Sequence, residues 1–229
     1  MQSEYQGSTA SAQLSTGTHK VLRNTYMLLG LSMLPTVLGA SIGLNMNFLF
    51  MAQHPIMTIL GMLAVMFVLF AGIKANQNSA IGVLLLLVMT GFLGMMLGPI
   101  LQAALHLRNG GQIVGLAAGG TGVIFMTLAT IATVSKRDFS FLGNFLFVGL
   151  ILLIVASLAN AFFQIPAMAL ALSGVSVLIF SGYILFDVSR IVQGGETNYV
   201  MATLALYLDI YNLFVNLLSL LMALLGNRD

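Results

Sequence analysis

The chain has 229 residues, of which 59% are hydrophobic and only 6% are charged, and its mean hydropathy is +1.03. Soluble domains carry about 25% charged residues. Eight basic and six acidic side chains are too few to cover the surface of a 24.4 kDa soluble globule, whereas lipid requires no such cover. The composition therefore excludes a soluble protein and predicts an integral membrane protein.

The basic residues do not form a surface for nucleic acid. The formal charge is +2 and the isoelectric point is about 9.1, but the Lys and Arg residues stand singly or in pairs along the chain. No phosphate-binding stripe forms from that pattern. The chain has no cysteine, which excludes disulfides, thiolate nucleophiles and cysteine-bound metal centres.

Apolar segments of about 20 residues, the length that crosses a bilayer, follow one another along most of the chain. Residues 1–18 precede them and are polar, rich in Ser, Thr, Gln and Gly, which predicts a disordered tail. Residues 19–229 are predicted to form one all-α transmembrane domain of seven helices. The predicted spans are residues 26–51, 55–73, 79–104, 112–134, 140–163, 166–188 and 200–225.

The distribution of Lys and Arg between alternate loops predicts the orientation, because basic residues accumulate on the cytoplasmic side of a membrane. With the amino terminus inside, six basic residues lie in the cytoplasm and two lie outside. We therefore predict a cytoplasmic amino terminus and an external carboxyl terminus. The inner set is Lys20, Arg23, Lys74, Lys136, Arg137 and Arg190, and the outer pair is Arg108 and Arg228.

Two acidic residues, Asp187 and Asp209, lie in the predicted sixth and seventh spans, where ionised groups are costly. If the sixth helix ends at the glycine pair 194–195, which suits a left-handed cap, Asp187 lies about 9 Å from that end. Asp209 lies about 15 Å beyond a seventh-helix start near Tyr199. Helix tilt can absorb the difference of about 6 Å, so the two carboxyl groups are predicted to meet.

Polar side chains accompany both acids along one face of each helix. The Asn and Ser residues favour ordinary interhelical hydrogen bonds, worth about 0.6 kcal/mol on average. The acids favour a functional role, because two carboxyl groups in a water-poor site cannot both ionise cheaply and are expected to share one proton, as in a pH switch. The polar residues are Ser173, Ser176, Tyr183, Asp187 and Arg190 on the sixth helix, and Asp209, Asn212, Asn216 and Ser219 on the seventh.

Arg190 has two interpretations from its position one turn beyond Asp187. It either offsets part of the charge of the acid pair, or it is an interfacial arginine that follows the charge bias of the cytoplasmic side. The sequence favours neither interpretation over the other.

No enzymatic motif accompanies the two acids. An intramembrane aspartyl protease carries its second acid in a Gly-x-Gly-Asp context, whereas the residues before Asp209 are Leu-Tyr-Leu. The sequence also lacks the zinc-binding HExxH pattern. We therefore predict a protein that is not an enzyme, with no catalytic residue and no certain metal site. The three histidines fall at span edges, where contact with water is more common than metal binding: His19, His54 and His106.

Glycines at small-xxx-small spacing occur in two of the predicted spans. Gly94 and Gly98 form one such pair, and Gly115 and Gly119 form another. This spacing lets helix backbones approach closely in membranes, so both pairs are predicted to lie at helix–helix contacts.

Four segments together resemble the Bax inhibitor-1 (transmembrane Bax inhibitor motif) family. They are THKVLRNTY (residues 18–26), GFLGMMLGPIL (91–101), KRDFSFLG (136–143) and GGETNYVMATLALYLDIYNLFVNLLSLL (194–221). The last segment is the most specific of the four. The resemblance covers about residues 18–229, and within the family it points to the bacterial members that modulate the FtsH protease.

The resemblance implies a seven-helix fold with the last helix at the centre, in a bacterial inner membrane with the carboxyl terminus in the periplasm. It also implies a di-aspartyl pH sensor formed by Asp187 and Asp209. A bacterial relative carries an arginine near the cytoplasmic end of the second helix that helps latch the acid pair. That position falls near Asn76 in this sequence, and Lys74 is the nearest cation that can replace the arginine.

Two functions follow from the resemblance. The first is a regulator that binds FtsH and restrains its proteolysis of membrane proteins, with residues 1–18 as a handle for the protease. The second is a pH-gated calcium or cation leak. Calcium prefers clustered oxygen ligands, and the two acids with Asn212 and Asn216 can offer it a transient site. No other cofactor is expected.

Overall fold

The computed structural model describes residues 2–135 and 137–226, with side chains from Gly17 onward. Within these residues the chain forms nine α-helices and no strand. Prolines lie at the first or second position of three of the helices, where a missing backbone N–H costs nothing. The helices are α1 (Gln2–Leu44), α2 (Leu49–Gln53), α3 (Pro55–Ala75), α4 (Ala80–Met96), α5 (Gly98–Leu105), α6 (Gly110–Ser135), α7 (Leu142–Phe163), α8 (Pro166–Val192) and α9 (Tyr199–Leu225).

Seven helical segments of the described chain are long and apolar enough to cross a membrane, which confirms the predicted number of spans. The first span, Gly17–Leu44, ends earlier than predicted. The side chain of Asn47 accepts a hydrogen bond from the backbone N–H of Leu49 at 2.8 Å and starts the short α2 there. The apolar residues 48–51, which extended the prediction, therefore belong to a turn and to α2. The third span, Ala80–Leu105, is broken at Leu97 between α4 and α5.

The predictions of a disordered tail and of the orientation in the membrane stay predictions. The backbone of residues 2–16 continues α1, where we predicted a disordered tail. Helix propagates readily from a formed turn, and the first proline of α1 is Pro35. Lys136 and Arg228, which entered the prediction of orientation, lie outside the described residues. The cytoplasmic location of the amino terminus is likewise untested.

The last helix, α9, lies at the centre of the bundle, as the resemblance implied. It packs against α1, α3, α4, α5, α6 and α8. Tyr207, Leu206 and Leu213 on α9 are at most 1% exposed. The Asn198 side chain caps the start of α9 by accepting hydrogen bonds from the backbone N–H groups of Val200 and Met201, each at 3.0 Å.

The helices α3 and α7 lie at the periphery and present apolar side chains outward. Phe67 on α3 is 73% exposed, and Phe145 on α7 is 74% exposed. α7 packs against α8 alone among the described helices. Apolar exposure on this scale is tolerated in lipid and not in water, so the outer surface of the bundle agrees with a multi-pass membrane protein.

Glycines bring α1 and α4 into close contact. A Cβ atom on Gly39 would overlap the Gly91 carbonyl, and one on Gly94 would overlap the Thr36 carbonyl. Gly98 meets the backbone of Gly43 in the same way. The predicted packing role of the first glycine pair, Gly94 and Gly98, is therefore confirmed.

The predicted role of the second pair is wrong. A Cβ atom on Gly115 or Gly119 would meet no atom within 4 Å, since both residues face away from neighbouring helices. Small-xxx-small spacing places two glycines on one face of a helix, but it does not decide whether that face meets protein or lipid.

We expect Gly94→Ala to lower the free energy of unfolding by about 1–3 kcal/mol, because the new methyl group overlaps the Thr36 backbone. Gly119→Ala is the matched control, and the higher helix propensity of alanine leaves it neutral or more stable by up to about 1 kcal/mol. Unfolding of the purified proteins in detergent measures both changes. Equal stability of the two variants would contradict the close α1–α4 contact.

Candidate functional site: a carboxyl pair between α8 and α9

The turn between α8 and α9 sets the depths of the two acids. Gly194 adopts a left-handed conformation with φ of 77° and donates a backbone hydrogen bond to Ile191 at 3.1 Å. The N–H of Gly195 donates to the Arg190 carbonyl at 2.8 Å. α8 therefore ends at Val192, next to the predicted glycine cap, and α9 starts at Tyr199 as predicted.

The structure brings the two predicted acids together. The side chains of Asp187 and Asp209 lie within interaction distance of each other. Asp209 is 6% exposed, and Asp187 is partly buried. Two ionised carboxylates are acceptors only, so a hydrogen bond between them would require a proton on one of them. The Oδ2 atom of Asp209 is buried without a hydrogen-bond partner in the described part of the chain.

The acid pair opens into a cavity of about 660 Å³. The cavity exists because the backbones of α7 and α9 stay more than 8 Å apart in the described residues, while α8 packs against both helices. Its walls are apolar apart from a small number of polar groups close to the acids. The polar lining residues are Ser157, Ser176, Tyr183, Asp187, Asp209, Asn212 and Asn216.

The two asparagines of the predicted polar face bond to their own helix. Asn212 donates to the Leu208 carbonyl, and Asn216 donates to the Asn212 carbonyl, each at 2.8 Å. Both amide donors reach backbone within α9, where we had favoured hydrogen bonds between helices. The amide oxygens remain available as acceptors at the cavity.

Arg190 and Tyr183 both lie within electrostatic reach of the acids. Arg190 interacts with Asp187, but its guanidinium also pairs with Glu196 at 3.3 Å. The Glu196 carboxylate in turn accepts a hydrogen bond from the Asn198 backbone N–H at 2.8 Å. Tyr183 lies close enough to both acids to interact with their charges. The positive charge of Arg190 is therefore divided between Asp187 and Glu196.

Lys74 lies outside this group. It is exposed in the last turn of α3, and α3 packs against α2, α4 and α9 but not against α8 in the described chain. Lys74 is absent from the cavity lining and from the charges that act on Asp187. The predicted replacement of the family's latch arginine thus has no described contact through which it can act.

Metal binding has little support among the side chains. His19, His54 and His106 are all exposed, as expected from their positions. The described residues contain no group of three His, Cys, Asp or Glu side chains that can hold a metal ion. A cation at the acid pair would need the oxygens of Asp187, Asp209 and neighbouring amides.

Sequence reasoning missed a second polar face on α9. The hydroxyl of Tyr207 lies 2.8 Å from that of Thr36 on α1 and donates to the Thr90 carbonyl of α4 at 3.2 Å. Tyr211 donates to the Leu93 carbonyl at 3.1 Å. The four-residue spacing of these tyrosines, on the side of α9 opposite Asp209, could have indicated this polar face. Aromatic residues in a span are equally typical of apolar packing, so the spacing alone did not distinguish the two roles.

These features define a helical membrane protein whose central last helix supplies one half of a buried acid pair. The chain belongs to the Bax inhibitor-1 family, because the family model described as inhibitor of apoptosis-promoting Bax1 matches residues 18–227. This agrees with the resemblance found in the sequence.

Several bacterial relatives cover nearly the whole chain. An uncharacterized membrane protein of Vibrio cholerae serotype O1 is 42% identical over 221 residues, which are 96% of each chain. The modulator of FtsH protease YccA of Escherichia coli strain K12 is 41% identical over 206 residues, 89% of this chain and 90% of that protein. An uncharacterized protein of Neisseria meningitidis serogroup A is 40% identical over 210 residues.

We expect Thr36→Val and Tyr207→Phe to be coupled, because their hydroxyl groups lie 2.8 Å apart between α1 and α9. In membrane proteins such pairs average about 0.6 kcal/mol and reach about 1.7 kcal/mol. A double-mutant cycle of unfolding free energies in detergent measures this coupling. Strict additivity of the two single changes would contradict the hydrogen bond.

Proposed function

We propose that this protein is a non-enzymatic regulator in the bacterial inner membrane that binds the FtsH protease and modulates its proteolysis of membrane proteins. The observation that carries the proposal is the 41% identity, over nine-tenths of both chains, to a protein named as a modulator of FtsH. The full set of seven apolar helices falls within the matched family region, residues 18–227, apart from the first residue of the first span.

The spans provide the surface through which the regulator engages its partner in this proposal. The outer faces of α3 and α7 are apolar and unoccupied by other described helices, with side chains such as Phe67, Val68, Phe145 and Leu152 more than 60% exposed. Helices associate in membranes through packing of such faces and not through a hydrophobic driving force. Binding therefore depends on the shape of the bundle, which the acid pair between α8 and α9 can alter.

Residues 1–18 are proposed as a handle for the protease. A polar cytoplasmic tail is a segment that a processive protease can grip, because chain termini are preferred sites of proteolysis. The handle and the spans have separable effects: the handle determines the turnover of this protein, and the spans determine binding.

We expect FtsH to co-purify with this protein from native membranes in mild detergent, and to do so after deletion of residues 2–16. The deletion should lengthen the half-life of the protein in cells, measured after translation is stopped. The matched control is a fusion of residues 1–18 to an unrelated multi-pass protein. Retention of FtsH by that fusion, with loss of binding in the deletion variant, would contradict binding through the spans.

A second candidate function is a pH-gated leak for calcium or another cation. The specific observation in its favour is the opening of the acid pair into the cavity of about 660 Å³, which carries further oxygen atoms from Asn212 and Asn216. Hard cations select oxygen ligands. This function is compatible with regulation of FtsH, since one change of shape can serve both.

The proposed switch depends on one proton. With the proton present, a hydrogen bond between Asp187 and Asp209 would hold α8 against α9. Without it, two negative charges in a site of low polarity repel each other. The other charged or titratable groups that act on the pair are Arg190, Glu196 and Tyr183, and the first two pair with each other.

We expect calcium flux into liposomes containing the protein to change by about tenfold between about pH 5 and about pH 8, which corresponds to a bias of about 1.4 kcal/mol on a two-state gate. Asp187→Asn and Asp209→Asn should each abolish this pH dependence, because an amide cannot lose the shared proton.

Asp138→Asn is the matched control for the flux experiment. Asp138 is an exposed loop residue, and hydrogen bonds from the Ser140 hydroxyl and backbone N–H hold the pKa of its carboxyl below the ordinary value. It therefore stays ionised across the tested interval, and its replacement should leave the pH profile unchanged. Identical profiles for wild type and Asp209→Asn would refute the switch.

A further inference from the structure

A second cavity, of about 770 Å³, lies between α1, α6 and α9, away from the acid pair. We call it the α1–α6 groove. The backbones of α1 and α6 stay more than 8 Å apart in the described residues, so the groove opens sideways between them. α9 closes its inner side with Tyr207, Ile210, Tyr211 and Phe214.

The wall of the groove is apolar and has room for added atoms. A Cβ atom on Gly30 of α1 or on Gly122 of α6 would meet nothing within 4 Å, and both glycines line the groove. The threonines that line α6 turn their hydroxyls to their own helix: Thr130 bonds to the Met126 carbonyl and Thr133 to the Ala129 carbonyl, each at 2.7 Å. The groove therefore presents a surface suited to a hydrocarbon chain.

The groove is shorter than the hydrocarbon core of a bilayer, which is about 30 Å thick. Its lining runs from Tyr26 to Thr36 along α1 and from Ala118 to Val134 along α6, which corresponds to about 15 Å and about 24 Å of helix. A transmembrane helix of a partner needs a surface of about 30 Å. The groove is shorter than that, so it suits a single acyl chain better than a spanning helix.

One end of the groove is basic. Arg23 precedes Tyr26 by three residues and Gly30 by seven, so it continues the lining face of α1 beyond the end of the groove. Arg137 follows Val134 by three residues at the same end of α6. Both side chains are exposed, and Arg23 has no ion pair with any described acidic residue. Basic sites between transmembrane helices attract anionic headgroups.

A buried hydroxyl without a good partner lies just inside this basic end. The Tyr26 hydroxyl is within reach of Thr133 but makes no well-aligned hydrogen bond with a described residue, although its oxygen is buried. Its ring packs edge-on against Phe125 with centroids 6.1 Å apart, which fixes its place in the groove. Buried polar atoms usually have partners, so this hydroxyl is an exception beside the basic end of the groove.

We propose that the α1–α6 groove binds one anionic glycerophospholipid of the surrounding membrane. One acyl chain fills the apolar groove, and the phosphate lies at Arg23. The opposite charges of Arg23 and the phosphate select an anionic lipid over a zwitterionic one. This site is independent of the acid pair and of the proposed binding of FtsH.

The test is native mass spectrometry of the full-length protein, stripped of lipid in detergent and titrated with phosphatidylglycerol or phosphatidylcholine of identical acyl chains. We expect about fivefold tighter binding of phosphatidylglycerol, the preference that one interfacial cation provides. Arg23→Gln should remove this preference and leave phosphatidylcholine binding unchanged.

Gly122→Leu tests the groove itself. Its side chain displaces about two methylene groups of the bound chain, so both lipids should bind about tenfold more weakly. Gly61→Leu on α3 is the matched control, since a Cβ atom there also meets open space but lies outside the groove. Unfolding midpoints of all variants check that each is folded.

Three results would overturn the proposal. Equal losses in Gly122→Leu and Gly61→Leu would indicate unspecific lipid around the bundle. Equal binding of both lipids by wild type and Arg23→Gln would remove the headgroup site. A dimer that Gly122→Leu dissociates, without a change in bound lipid, would assign the groove to a second copy of the chain.

Discussion

The enclosure of α9 by other helices decides which polar groups this helix can carry. A polar side chain inside a bundle in lipid has no water to bind, so its partner must lie within the protein. On one face, Tyr207 and Tyr211 reach Thr36 and backbone carbonyls of α4. On the opposite face, Asp209 has the carboxyl group of Asp187. Each polar face of α9 thus joins the helix to a different part of the bundle.

The two faces differ in the origin of the proton that completes each contact. A tyrosine hydroxyl carries its own proton, and its hydrogen bond to a carbonyl persists over the physiological pH range. A hydrogen bond between two carboxyl groups requires a proton on one of them, because two carboxylates are acceptors only. The tyrosine face, with the close glycine contacts between α1 and α4, therefore forms a constant frame. In the proposed switch, the acid face is the contact that pH can break.

Much of the fold follows from the sequence because the bilayer restricts the choices. Spans need about 20 apolar residues and helix ends need caps, so the depths of Asp187 and Asp209 could be worked out from Gly194 and Tyr199. Other features depend on neighbours that spacing does not identify. Gly94 and Gly115 begin identical small-residue pairs, yet only Gly94 meets another helix. The turn after Leu44, which contains Asn45 and Asn47, was missed because the apolar residues 48–51 that follow it continue the span in the sequence.

The connections of α8 determine where a change at the acid pair would be felt. Ser189, two residues after Asp187, accepts a hydrogen bond from the Phe139 backbone N–H and donates to the Arg137 carbonyl, both at 3.1 Å. Arg190 is tied to Glu196 in the turn before α9. Because the tyrosine face holds α9 to α1 and α4, loss of the shared proton in the proposed switch displaces α8 relative to α9. In the proposed switch, that displacement reaches the loop of Arg137 through Ser189.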